Sequence, residues 1–418
     1  MGRIPELDGL RALAVLAVVA FHYSLATPLA TRASNLGWIG VDLFFVLSGY
    51  LITTILLESR SRPGYFATFY ARRTLRIFPI YFLLLAGYIV AARVFGGPQP
   101  WAYWGMHAAF VSSTVEHFHS WNFAAPAWVY GGATVLWSLS IEEQFYLFWA
   151  PVVRWLRPAA LWVVLGVAVI GAPWLRFNIH TQFFPEYRFL PARCDTLAWG
   201  ALLALALQQW RREPAALRRW LAGAGGAAAL AVGALLVGTG GRRESLAFAT
   251  WGYSALALAF AAAVGTAVLT TGRGGLAGRA LRCRTVRYVG KISYTTYLVH
   301  YPILLLVGGW LAFAGHGTGG VLLRNLASLA ATLALAAASW RWLEAPILRF
   351  KDRWAPARGR EPELPRRGLR TSEVWAGSEV AHHFLVGSLP LVARGARFGP
   401  RQRTPAGAQG VSKLPPSV

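Results

Sequence analysis

The sequence predicts an all-α fold, a polytopic transmembrane helical bundle of about ten spans with both termini in the cytoplasm. Three observations predict it. Hydrophobic residues make up 56% of the 418 positions and charged residues only 14%, with a mean hydropathy of +0.43, whereas soluble domains carry about 25% charged residues. Apolar runs approaching the ~20 residues that cross a bilayer recur through the first 350 positions. Arginine is distributed unevenly between alternate connections, as the positive-inside rule requires.

The candidate spans are 10–27, 38–57, 77–95, 134–153, 159–175, 192–210, 220–239, 245–270, 291–314 and 321–346. The first runs past the length of a signal-peptide core and has no small-residue cleavage site before Pro28, so it reads as a retained anchor. Between the third and fourth spans, 101–113 is too short and too mixed to cross and is expected to be re-entrant or interfacial. An eleventh crossing there would invert everything downstream. With ten spans and the N-terminus inside, nineteen Lys and Arg fall in or beside inner connections and eight, among them Arg176, Arg188, Arg193 and Arg243, beside outer ones. Cys194 and Cys283 then lie on opposite sides of the membrane and cannot pair.

This topology accounts for most of the net charge of +24 without nucleic acid, and the expected partner surface is the lipid bilayer. Residues 1–350 form the expected membrane domain. Residues 351–418 carry 12 Lys plus Arg and 5 Asp plus Glu, are rich in Pro and Gly, and read as a basic, disordered cytoplasmic tail. The chain has no phosphate-binding glycine loop, dinucleotide fingerprint or metal-spaced His/Cys cluster, so no tightly bound cofactor and no metal is expected.

Ionisable residues inside apolar spans are costly and mark candidate functional sites. Arg11 and His22 are eleven residues apart, which returns them to one helix face roughly 16 Å apart along the axis. A hairpin of the first two spans would bring Asp42 to the depth of His22, where a carboxylate could fix the imidazole tautomer; alternatively Asp42 caps the second helix. Glu142 and Glu143 fall about eight residues into their span and point ~100° apart, so one can face a cavity while the other pairs with an arginine. If the helix starts later, both sit in its first turn, where the dipole favours them. Tyr294, Tyr297 and Tyr301 form one stripe with His300 near mid-membrane, suiting an acceptor cavity or proton path. Arg73 and Arg76 share one face of the helix entering the third span and suit either a phosphate or interfacial anchoring.

Together these residues resemble the acyltransferase-3 family of integral-membrane O-acyltransferases. The resemblance rests on Leu7-Asp8-Gly9-Leu10-Arg11-Ala12 leading to His22, the stretches 40–52, 137–146 and 293–302, the Arg73-x-x-Arg76 pair, and Glu344-Ala345-Pro346, in that family's order over about residues 4–350. It implies transfer of an acyl group, usually acetyl, from cytosolic acyl-CoA (acetyl-CoA as donor substrate) to a hydroxyl of a cell-surface glycan, lipid-linked sugar or small-molecule acceptor. It also implies a multi-pass protein of the bacterial inner membrane. Under it Arg11 and His22 are essential and Arg73 and Arg76 help hold the donor, with Arg11 at the same cytoplasmic mouth; the helix geometry then offers His22 as the general base, with Asp42, Glu142 and Glu143 as candidate catalytic acids. Ser48, Tyr146, Tyr294, Tyr297 and His300 line the acceptor or proton path, and an acyl relay through Ser48 or a tyrosine is a second route. A transporter or flippase for a polysaccharide or lipid is the competing class, although no paired halves with broken helices are visible.

Overall fold

Helices form wherever long apolar segments offer the backbone no other hydrogen-bond partner than itself. The computed structural model describes residues 4–25, 35–95, 101–118, 132–180, 187–273, 275–311 and 317–354. All regular elements among the described residues are helical. In chain order they are α1 (Pro5–Leu25), α2 (Ile39–Ser59), α3 (Tyr65–Phe95), α4 (Trp101–Ala108), α5 (Ser112–Phe118), α6 (Trp137–Trp155), α7 (Pro158–Ile179), α8 (Leu190–Gln209) and α9 (Pro214–Gly238). Then follow α10 (Phe248–Leu269), α11 (Leu276–Arg282), α12 (Arg284–Trp310), α13 (Thr318–Ser339) and α14 (Ala345–Trp354). Each of the ten expected spans coincides with one of the long helices. Segment 101–113 instead contains α4 and the start of α5, eight and seven residues long, and eight residues rise only ~12 Å. Tyr103, Trp104, Met106 and His107 of α4 turn into the protein. The tail beyond residue 354 lies outside the described residues.

Eight of the helices are long and apolar enough to cross a membrane. Helices α6 and α12 are long enough too, at 19 and 27 residues, but their polar side chains lower their hydropathy. They carry Glu142, Glu143, Tyr294, Tyr297 and His300. Polarity is tolerable because of where they sit. Helices α1, α2 and α8 bury 61–67% of their spans in the protein, while α9 buries 6%. α12 packs on α1, and α6 on α2 and α8, so the polar stripes face protein rather than lipid.

Small residues set how closely these central helices meet. A Cβ at Gly49 of α2 would run into the carbonyl of Leu197, and one at Gly200 of α8 into the carbonyl of Val46. Gly290 of α12 meets the carbonyl of Asp8 in the same way, pressing α12 against α1. Seven residues before Gly49 and Gly200 stand Asp42 and Arg193. Two helical turns therefore place an ion pair and a glycine contact on one α2–α8 stripe.

Two wide π turns interrupt the regular helices. Phe248–Gly252 opens α10, where the carbonyls of Ala249 and Thr250 accept from Arg176 at 2.6 and 3.1 Å. Trp340–Glu344 joins α13 to α14 and delivers the buried Glu344 to Thr295, whose hydroxyl donates to it at 2.7 Å.

Candidate active site

With inner and outer defined by the arginine bias, the polar residues fall into two groups joined by α1. The inner group gathers about Glu142. Ser48 of α2 donates to its Oε1 at 2.7 Å, and Tyr146, one turn further along α6, donates to its Oε2 at 2.8 Å. Arg73 of α3 lies over the Tyr146 ring, 4.7 Å from its centroid. The charges of Arg11, Arg73 and Glu142 lie within electrostatic range of one another, and Arg76 within range of Arg11 and Glu344. Among the described residues, none of these three arginines is within ion-pair distance of a carboxylate. Three neighbouring cations, with Asp8 and Glu142 as the carboxylates within electrostatic range of Arg11, suit an anion, which Arg grips through charge-assisted bonds.

α6 begins at Trp137, so Glu142 and Glu143 lie in its second turn rather than its first. The first-turn alternative does not hold. Their divergence does: Glu142 accepts two hydroxyls, while Glu143 buries an Oε1 with no hydrogen-bond partner among the described residues. Tyr294 donates to the carbonyl of Ile77 at 2.7 Å, which ties α12 to α3 and uses its proton structurally.

The outer group centres on His22. Its Nδ1 lies 2.9 Å from the carbonyl of Val18 and 3.2 Å from Nε2 of His300. Nδ1 of His300 lies 2.6 Å from the carbonyl of Tyr297. A carbonyl only accepts, so His300 carries its proton on Nδ1 and offers a lone pair at Nε2. By the same logic His22 carries its proton on Nδ1, shared between Val18 and His300. Its Nε2 is therefore the nitrogen with an open lone pair. Tyr297 donates to the Val135 carbonyl at 3.1 Å and thus accepts from Ser138 at 2.6 Å, bracing α12 against α6. Tyr301 packs on the His22 ring with centroids 4.9 Å apart.

Asp42 corrects the sequence reading. It neither pairs with His22 nor caps α2, whose cap residue Trp38 has no side-chain cap bond. Its carboxylate is fully buried against the equally buried Arg193 of α8, whose guanidinium also lies over the Tyr253 ring at 4.3 Å. The physical cause is the α2–α8 stripe, which offers a permanent cation where α1 offers a neutral imidazole. Beside it Arg176 is fully buried on Asp195, with Nη2 to Oδ2 at 2.8 Å. Arg176 and Arg193 are thus interior residues, not outer-loop charges.

Sequence reasoning missed this second network. The signal was present in Arg193 and Asp195, two charges inside an apolar run. It also missed two cations on the outer side of His22. Arg243 lies over the Phe21, Trp38 and Tyr187 rings at 5.2–5.3 Å, Arg188 lies over Trp137 at 5.9 Å, and both charges reach His22. Outside the spans, burial among these groups pushes the Tyr187 phenol up to about 12.

The chain matches the acyltransferase domain of the acyltransferase-3 family over residues 4–341. It is 29% identical over 365 residues, 82% of its length, to the peptidoglycan O-acetyltransferase OatA of Listeria monocytogenes serovar 1/2a, and covers 56% of that protein. It is 27% identical over 368 residues to the O-acetyltransferase OatA of Staphylococcus aureus strain NCTC 8325, again over 82% of its length and 57% of the relative's. The chain thus spans about half the length of the curated relatives it matches. No solved structure matches it. The match covers α1 to the turn after α13, every helix that contributes to the two groups, and the chain belongs to the acyltransferase-3 family.

Proposed function

We infer that the protein is a multi-pass inner-membrane O-acetyltransferase that moves an acetyl group from cytosolic acetyl-CoA to a hydroxyl of a cell-surface glycan of the peptidoglycan class. Family membership favours group transfer over transport. The observation that carries the site assignment is the His22 ring, held by Val18 and His300 so that Nε2 keeps an open lone pair. It stands on the face of α1 that leads down to the Arg11, Arg73 and Arg76 cluster.

In this reading the three arginines hold donor phosphates at the inner side, and the pantetheine arm spans the roughly 16 Å from Arg11 to His22. The acceptor hydroxyl enters from the outer side, past Arg188 and Arg243. Nε2 of His22 takes its proton as the oxygen attacks the thioester carbonyl. The charge on Nε2 is shared through Nδ1–H with His300 and Val18. The tetrahedral oxyanion collapses, the C–S bond breaks, and the CoA thiolate recovers the proton from His22. Asp42 has no part in these steps. A relay is the second reading, favoured by the 2.7 Å Ser48–Glu142 hydrogen bond, a nucleophile beside a base.

The test is transfer of labelled acetyl from acetyl-CoA to peptidoglycan fragments by membranes containing the chain. His22→Ala should lower transfer by about 10²- to 10⁴-fold at unchanged membrane abundance. Unchanged transfer would remove His22 from the chemistry. An acetyl-enzyme trapped in the wild type but not in Ser48→Ala would favour the relay.

A further inference from the structure

At the inner end of α3 and α6 the structure contains an open, mainly apolar pocket of about 350 Å³, lined by Arg62, Tyr65, Phe66, Arg154 and Trp155 among others. Its walls are fixed. Arg60 donates to the carbonyl of Leu156, Tyr65 donates to the carbonyl of Ala150 at 3.0 Å, and the Phe66 and Trp155 rings lie 5.7 Å apart. The Arg154 guanidinium lies 5.9 Å from the Tyr65 ring centroid and, among the described residues, has no carboxylate partner. Trp155 is 70% exposed, a large indole held at the mouth. Among the described residues no Asp or Glu lines the cavity.

Positive-inside anchoring explains two arginines at this depth. It does not explain three aromatic rings fixed around a cavity between them. The Arg154 cation beside the flat, exposed indole of Trp155 suits a planar heterocycle carrying phosphate. Position supplies the second argument. Helices α3 and α6 are laced together by Tyr65 on Ala150, Tyr70 on Leu147 and Arg73 on Tyr146. Eight residues separate Tyr65 from Arg73 and Tyr146 from Arg154, so by either helix the pocket lies ~12 Å from the arginine cluster, on its inner side.

The geometry points to this pocket as the seat of the donor's nucleotide end, with the purine against Trp155 and Phe66 and the ribose phosphate on Arg154. The inference rests on acyl-CoA being the donor. The cluster above then takes the diphosphate, and the thioester arm continues along α1. An anionic lipid headgroup presents similar phosphate chemistry, so the experiment separates the two.

The full chain, purified into nanodiscs of neutral lipid, is assayed with acetyl-CoA and with acetyl-pantetheine, which lacks the nucleotide. Binding of 3′-phosphoadenosine 5′-phosphate is measured in parallel. Trp155→Ala and Arg154→Gln should raise KM for acetyl-CoA about tenfold, a loss of ~1.4 kcal/mol, with kcat within twofold. KM for acetyl-pantetheine should not move, which also shows that the variants fold. Nucleotide binding should weaken by a similar factor. Equal KM changes for both donors, or none for either, would overturn the assignment. So would an Arg154→Gln effect that appears only in nanodiscs containing anionic lipid. If the wild type uses neither donor, the donor reading falls, and the binding arm decides the pocket: equal affinity of wild type and variants overturns it.

Discussion

Asp42 and Arg193 are each fully excluded from solvent, and a buried charge that loses its partner destabilises by about 3–5 kcal/mol. Asp42→Ala should therefore lower the thermal midpoint and yield of the purified protein while the surviving folded molecules keep their kcat. Replacing both partners, Asp42→Leu with Arg193→Met, should recover much of the midpoint. A fall in kcat at an unchanged midpoint would return Asp42 to the chemistry. The contrast with His22 shows what single residues disclose. That an imidazole in an apolar span faces the protein was legible from cost alone. Its partner was not, because matching depth along two adjacent helices fixes height but not azimuth. The direction in which Asp42 points is decided by α8, which begins about 150 residues later. His300 was legible as a polar residue near mid-membrane, and its contact with His22 needed the α1–α12 packing.

At the scale of helices, apolar length placed all ten long elements, while polarity within α6 and α12 marked the faces turned toward the protein. The π turns had no signal in hydrophobic period, which differs too little between turn types. Close packing was equally hidden, since glycine in an apolar run reads the same whether it touches a neighbour or lipid. The structure separates the two cases. Gly200→Ala sets a methyl group against the backbone of α2 and should cost about 1–3 kcal/mol, as overpacking does, loosening the Asp42–Arg193 stripe with it. Gly166→Ala and Gly171→Ala in α7 meet nothing within 4 Å and should be neutral or stabilising by up to ~1 kcal/mol. Thermal midpoints in one detergent compare the three directly. Equal effects would mean that α2 and α8 are not held by this contact.

For the whole molecule, the proposed function makes orientation decide which substrate meets which end of α1. Cys283 is exposed between α11 and α12, an inner connection under the expected ten-span topology, whereas Cys194 is half-buried. The backbone N–H groups of Thr285 and Val286 hold the Cys283 thiol below its usual range, so its thiolate persists to lower pH and reacts faster near neutrality. A membrane-impermeant maleimide should label Cys283 in inside-out vesicles and not in right-side-out ones. The reverse pattern would turn the bundle over and exchange the proposed donor and acceptor sides. The contact between His22 and His300 spans 278 positions of sequence, and that separation sets a clock. At about 5–20 residues per second a ribosome needs roughly 14–56 s to reach residue 300 after making residue 22. Throughout that interval α1 stands in the insertion machinery or the bilayer without the helix that packs on its His22 face. A chain truncated before α12 carries every arginine of the inner cluster while His22 keeps only its bond to Val18, so under the proposed function competence for transfer arrives late in synthesis.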